Sequence, residues 1–344
     1  MASGTATPAG AQAPVAESTA LDIRALTRSF SDVVAVDSVD LTVPKGELFG
    51  LLGPDGTGKS TLIRMLATVI EPTSGDAFVL GDSVVTDSDA IKPSTGYMSQ
   101  RFSLYPDLTV AENLDFFAEL RGVPRAEKAK RANDLLGFAG LHGFESRQAQ
   151  FLSGGMKQKL ALAATLIHEP DVIFLDEPTT GVDPVSRREF WRILSGLHRR
   201  GITIVVATPY MDEAERCTRV AFMSQGRILL TDTPEGIKRR VSGRLIEAAV
   251  DDHHTAMPVA RALPFVHSVD LYGESLQIIV GADDRDAEDA IRSALEAAGV
   301  TVGAVGPAPM SMEVAFARIM ADADGTPELG GEIAESVGGL GGEA

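Results

Sequence analysis

Hydrophobic and polar residues alternate in two early stretches, Leu21-Asp22-Ile23-Arg24-Ala25-Leu26-Thr27 and Ser38-Val39-Asp40-Leu41-Thr42-Val43. A period of two predicts half-buried antiparallel strands. Pro44-Lys45-Gly46 then turns the chain into Glu47-Leu48-Phe49-Gly50-Leu51-Leu52, an apolar run of the buried-strand type. The period lengthens from Thr61 to Ala67, where Leu62, Met65 and Leu66 share one helical face. From about residue 107 to 150 the pattern stays helical. Val110, Leu114, Phe117 and Leu120 form one apolar face, and Leu135, Leu136 and Phe138 another. Two unbroken apolar runs follow, Val172-Ile173-Phe174-Leu175 and Ile202-Thr203-Ile204-Val205-Val206-Ala207. Runs without alternation suit parallel strands covered on both faces. Arg219 to Met223 and Arg227 to Leu230 flank Ser224-Gln225-Gly226, a hairpin signature.

Between the first apolar run and its helix lies Gly53-Pro54-Asp55-Gly56-Thr57-Gly58-Lys59-Ser60-Thr61. It fits the phosphate-loop pattern G-x-x-x-x-G-K-[ST]. Closely spaced glycines let successive N–H groups converge on one centre, and the following helix N-terminus adds its dipole. Lys59 supplies a mobile cation for the β/γ-phosphates, and the Ser60 hydroxyl a hard oxygen for Mg²⁺. Strand, glycine loop and helix stand in the required order.

The run at 172–175 ends in Asp176-Glu177. Adjacent carboxylates at the end of a buried strand are costly unless used there. Ligands of open α/β sheets sit outside such strand ends. Asp176 is placed to hold Mg²⁺, and Glu177 to face an attacking water. Ser153-Gly154-Gly155 opens another helix, a second anion-binding terminus, 23 residues before Asp176. Two phosphate-gripping surfaces in one chain serve one nucleotide only if a partner contributes the second. This spacing argues for a nucleotide sandwich in a head-to-tail dimer.

Composition narrows the setting. The chain has 344 residues, 44% of them hydrophobic and 23% charged, an ordinary soluble balance with room for two or three packed units. Its formal net charge of −17 argues against a nucleic-acid partner and against direct adhesion to anionic lipid. No apolar run is long enough to cross a bilayer, and Met1 to Ala6 lacks a secretory signal. Cys217 stands alone, so no intrachain disulfide is possible and a cytosolic setting is expected. A buried, small apolar role suits Cys217.

Residues 1–20 and 319–344 are expected to be disordered tails, the second acidic. Residues 241–318 read as a small α+β module. Arg244 to Val250, Leu276 to Val280 and Val300 to Val305 suit strands, and Ala287 to Ala298 an amphipathic helix. His253-His254 beside Asp251-Asp252 suits a solvated turn better than a metal site.

Taken together, these motifs resemble the ATP-binding subunits of ABC transporters, over about residues 21–240. The resemblance implies an α/β P-loop NTPase core with an antiparallel β subdomain and a helical subdomain near 101–160. It implies ATP and Mg²⁺ as cofactors. It also assigns roles: Phe30 stacking on adenine, although core packing suits a phenylalanine there too; Gln100 sensing Mg²⁺ and the membrane subunit; and Asp183 touching the opposite protomer. The string from Leu152 to Pro184 and the closing segment Pro309 to Phe316 are similar to drug and antibiotic exporters of the ABC-2 type. That likeness implies a homodimer, or a heterodimer with a related ATPase. It implies separate ABC-2 type permease subunits docked near Gln100 to Pro106, and a place on the inner face of the cell membrane. Export of glycan or lipid, or a non-transport role on ribosomes or DNA, are the alternatives.

Two positions depart from the family pattern. Pro209 stands where a histidine usually meets the γ-phosphate, and proline offers neither side-chain donor nor N–H. One such donor is worth about 3–4 kcal/mol of transition-state stabilisation, so slow hydrolysis is expected. Asp55 stands where asparagine is usual. A carboxylate about 4 Å from a phosphate charge costs about 4 kcal/mol at an effective dielectric near 20, so Asp55 is expected to point away.

Overall fold

The computed structural model describes residues 18–100, 104–282 and 284–324. Most of both tails, and Arg101 to Ser103 of the expected permease-docking segment, therefore lie outside the described residues. The chain divides into two compact units, 1–231 and 232–344.

The first unit begins with the long hairpin β1 (Thr19–Phe30) and β2 (Val33–Pro44), in which Leu21, Ile23, Val39, Leu41 and Val43 are buried. Thr19 and Ala20 belong to β1, not to a tail, because Ala20 is buried and its carbonyl accepts from Leu80 N–H. The second strand begins at Val33, earlier than its alternation shows, because Val33 and Val34 are exposed. Then come β3 (Leu48–Leu52), α1 (Lys59–Leu66), β4 (Ser74–Val79), β5 (Asp82–Ser83), α2 (Ser88–Ile91) and β6 (Thr95–Met98). After α1, none of these elements shows in the hydrophobic pattern; β4 opens on Ser-Gly-Asp and β6 has four residues.

The stretch from about 107 to 150 holds two helices, α3 (Val110–Leu120) and α4 (Arg125–Ala139), and α5 (Gly154–Leu166) follows it. Thr109 and Glu112 form a capping box at the start of α3, and Gly140 in the left-handed region ends α4. Val110, Leu114, Leu136 and Leu160 share a core, but Leu120 is exposed rather than on the buried face. The unit closes with β7 (Val172–Asp176), α6 (Pro184–Arg199), β8 (Thr203–Thr208), α7 (Met211–Ala214), β9 (Arg219–Ser224) and β10 (Arg227–Asp232).

These strands make two sheets. The antiparallel one runs β2-β1-β4-β5, and the other β10-β9-β3-β8-β7-β6. From β9 to β6 the second sheet is parallel. One core joins both sheets through α1, with Leu62, Ile63, Met65 and Leu66 set among Phe49, Phe174, Leu21 and Ala77. β3, β7 and β8 are buried at every residue, as unbroken apolar runs require.

The second unit contains α8 (Pro234–Arg240), β11 (Arg244–Val250), α9 (His253–Arg261), β12 (Val266–Tyr272), β13 (Ser275–Val280), α10 (Ala287–Ala297), β14 (Val302–Ala308) and α11 (Met312–Asp324). Its antiparallel sheet runs β12-β13-β11-β14, and its core sets Ile246, Leu276 and Ile278 against Ala256, Ile291 and Leu295 of the helices. The boundary falls ahead of the one expected after residue 240, because α8 packs with α11. Two sequence expectations need correction here. His253 and His254 open α9 under an Asp252 cap instead of forming a turn, and α11 carries the chain in helix past residue 319.

Candidate functional site

Parallel pairing brings four strand ends to one edge. Leu52 of β3 pairs with Thr208 of β8, Asp176 of β7 with Ala207 of β8, and Met98 of β6 with Leu175 of β7. The glycine loop, the Asp176-Glu177 pair, Gln100 and Pro209 all follow directly from these ends.

The loop after β3 is held by close backbone contacts. A Cβ on Gly53 would lie 2.2 Å from the Met223 carbonyl oxygen. One on Gly58, at φ +100°, would lie 2.1 Å from that of Ala35. Only glycine fits these two places. Thr57 Oγ1 donates to the Pro54 carbonyl at 2.9 Å, and Gly226 N–H donates to the Thr57 carbonyl. Lys59 begins α1 and is buried; its Nζ donates to the carbonyls of Gly53 and Pro54, both at 2.7 Å. Burial lowers its pKa, against the opposing pull of Glu177, Asp55 and Asp176. The ammonium thus rests on the carbonyls of its own loop.

Asp176 is fully buried. Ser60 Oγ donates to its Oδ1 at 2.6 Å, Tyr97 Oη donates to its Oδ2 at 3.4 Å, and Arg64 stands 3.5 Å away. Ser60 and Asp176 thus present hard oxygens side by side, a donor set that fits Mg²⁺. Among the described residues no cluster of three His, Cys, Asp or Glu side chains could hold a metal. A cation here would complete its shell from phosphate and water. Gln100, expected in the metal set, instead donates its Nε2 to Glu177 Oε2 at 2.8 Å.

Glu177 is buried, with φ at +48°. That conformation costs a non-glycine residue about 1–2 kcal/mol. Its N–H donates to the Ala207 carbonyl at 3.0 Å, and Thr180 Oγ1 donates to its Oε2 at 3.2 Å. Burial pushes the Glu177 carboxyl above the ordinary range. The Asp55 charge adds to this, while Thr180 and Lys59 oppose it. A buried carboxyl of raised proton affinity beside a phosphate nest suits a general base. Asp55 is exposed on the loop, yet its charge is felt at both Lys59 and Glu177.

Phe30 is 44% exposed, so it is no core residue; Arg28 lies over its ring at 4.5 Å. Ser153 caps α5 by accepting from Met156 N–H, and Gly154 is exposed beside it. Gly155 is buried where a Cβ would meet Ser186 at 2.4 Å. Asp183 caps α6, accepting from Val185 and Ser186 N–H, bonds that hold its pKa low. No contact within the chain joins Ser153 or Asp183 to the glycine loop among the described bonds. Pro209 is half-buried between β8 and α7.

Sequence reading missed Tyr97 and Arg64, which face Asp176, and Glu213, which is fully buried behind Pro209. Tyr97 lies three residues before Gln100, on β6. Arg64 is four residues past Ser60 on one helix, a spacing that places both on one face. Cys217 is buried, and burial raises its thiol pKa, as a small apolar role requires. Among the described residues no helix is long and apolar enough to cross a membrane.

The family described as ABC transporter matches residues 36–180. The chain is 44% identical over 223 residues to the probable multidrug ABC transporter ATP-binding protein YbhF of Escherichia coli, covering 64% of this chain and 38% of that protein. It thus spans well under half of that relative's length. It is 34% identical over 278 residues to the daunorubicin/doxorubicin resistance ATP-binding protein DrrA of Streptomyces peucetius, covering 80% of this chain and 84% of that protein. A solved dimeric ATP-binding cassette in a post-hydrolysis state, bound to ADP and Pi, superposes with a TM-score of 0.57 at 26% identity, over 62% of this chain and 98% of that one.

Proposed function

The chain belongs to the ABC transporter family, and we propose that it is an ATPase subunit that closes head-to-tail on two Mg-ATP and drives a separate ABC-2 type permease exporting drugs or related small molecules. The observation that carries this reading is the convergence of Lys59, Ser60, Asp176 and Glu177 on one sheet edge, with Ser153 on a separate helix.

Lys59 and the loop N–H groups bind the β/γ-phosphates. Ser60 and Asp176 would hold Mg²⁺, which neutralises phosphate charge when bound. Glu177 orients water and accepts its proton. Ser153, with Gly154 and Gly155, grips the same nucleotide from the twin. Phe30 offers an exposed ring to adenine, and Asp183 lies at the dimer seam. Binding energy for ATP between two copies favours the closed pair, and loss of the γ-phosphate releases it; the permease follows that population shift. Such a subunit sits at the inner face of the membrane, held by its permease. Names of similar proteins favour drug export. Co-purification with a multi-span membrane protein supports the reading, and recovery on ribosomes refutes it.

Two variants probe this chain's own departures. Pro209→His restores a γ-phosphate donor, and is expected to raise kcat about tenfold, a fraction of what one such donor is worth. An unchanged rate would mean that another group already serves there. Asp55→Asn removes a charge that raises Glu177. The acidic limb of the pH–rate profile is expected to move to lower pH. ATP affinity should change less than about threefold, because the exposed charge is screened by solvent.

A further inference from the structure

Glu213 is the one fully buried glutamate among the described residues. It lies on α7, and no metal cluster or phosphate contact explains it. Its Oε1 accepts from Thr179 Oγ1, and its Oε2 from Thr208 Oγ1 at 2.7 Å. Thr179 is two residues past Glu177 and 1% exposed; Thr208 directly precedes Pro209 and is 0% exposed. Thr208 Oγ1 also accepts from Tyr210 N–H at 3.0 Å, so its hydroxyl bridges the far side of Pro209 to Glu213. Arg187, on the helix that Asp183 caps, brings its buried Nε to 3.7 Å from Glu213 Oε1 without a hydrogen bond. Its guanidinium lies 4.2 Å over the Tyr210 ring. One carboxyl group thus ties the loop after β7 to the end of β8, with Arg187 of α6 alongside.

Burying a carboxyl group is expensive unless its oxygens are satisfied, and apolar packing would fill the space more cheaply. What the carboxyl group adds is register. Short bonds in a dry interior fix two segments against each other, and with both Glu213 oxygens satisfied they favour one arrangement. Glu177 needs that constraint because its φ is strained and Pro209 offers no side-chain donor across the site. We infer that Glu213 is a positioning residue for hydrolysis: through Thr179 and Thr208 it holds the Glu177 loop in register with the Pro209-Tyr210 turn. It touches neither nucleotide nor water itself. This inference rests on the hydrolytic reading of the site.

The test uses the full chain with Mg-ATP and three variants. Thr179→Val deletes one hydroxyl at nearly constant volume, Thr179→Ser keeps it, and Glu213→Gln removes one acceptor. Misplacing a reactive group by about 1 Å costs up to about 100-fold, so kcat is expected to fall about 30-fold in Thr179→Val and Glu213→Gln and to stay within about twofold in Thr179→Ser. Affinity for a fluorescent ATP analogue should hold within about threefold, because no nucleotide contact is lost. Backbone hydrogen exchange should quicken at residues 177–182 and 207–212 and nowhere else in the first unit. Unchanged kcat with unchanged exchange overturns the inference. So does affinity that collapses in step with kcat, or exchange that quickens throughout the first unit, since either marks general unfolding. If the parent chain hydrolyses no ATP, the proposed function fails instead, and exchange alone then decides whether Glu213 ties the loops.

Discussion

Replacing Glu177 with glutamine is expected to slow ATP hydrolysis about 1000-fold, the scale of a positioned general base. The amide keeps the shape of the side chain and can still meet Gln100 and Thr180, so the loop retains its bonds. What it loses is the ability to accept a proton from water. Nucleotide affinity should hold or rise, because the phosphates are gripped by Lys59 and the loop and no longer face the Glu177 charge. The variant should therefore accumulate as an ATP-bound dimer, visible by light scattering at saturating Mg-ATP. Stability gives a second check. The folded-state carboxyl pKa is raised, so folding favours the protonated form, and its contribution is fully present at low pH and lost as pH rises through the raised value. At neutral pH the ionised carboxylate is thus a burden on the fold, and Glu177→Gln should melt no lower than the parent. The parent rate should climb with pH through the same raised range. A variant that hydrolyses at the parent rate would remove Glu177 from the mechanism.

Much of this site was legible because its chemistry is local in sequence. Gly53 to Thr61 occupies one loop, and the backbone crowding at Gly53 and Gly58 explains why those residues are glycine. Asp176-Glu177 could be read from a buried run ending in two acids. The paired strands β7 and β8 were legible for the same reason: every residue in them is buried, so their apolar runs are unbroken. What was not legible depends on contacts between distant segments. Tyr97 meets Asp176 across 79 residues and Gln100 meets Glu177 across 77, pairings set by sheet order alone. Nothing in Met211-Asp212-Glu213-Ala214-Glu215 singles out Glu213, and only the packing of α7 against β3 and β8 buries it. The second unit's α9 hid behind His253-His254, which read as turn, and it carries an internal Pro258, a residue that weakens a helical pattern. Short or polar elements such as β5 and β6 carry too few residues to show a period.

Lys59→Met is expected to weaken ATP binding about 100-fold, equivalent to about 3 kcal/mol, the worth of a buried charge-assisted hydrogen bond to phosphate. Methionine keeps the length and apolar stem of lysine and still packs under the loop. Its effect on the nucleotide-free protein should be small, and the pKa of Lys59 says why. Burial lowers that pKa, so folding disfavours the ammonium relative to the unfolded chain. The charge therefore costs the empty loop stability at neutral pH, and the two bonds to the Gly53 and Pro54 carbonyls only offset part of that cost. Phosphate turns the same charge into an asset, because an anion in that nest satisfies it more fully than two carbonyls do. Thermal unfolding separates the two effects. Without nucleotide, Lys59→Met should melt at or slightly above the parent temperature. With saturating Mg-ATP the parent should gain several degrees through linkage and the variant almost none. If both proteins gain equally, the ammonium is not what holds the triphosphate, and the loop N–H groups must carry the site without it.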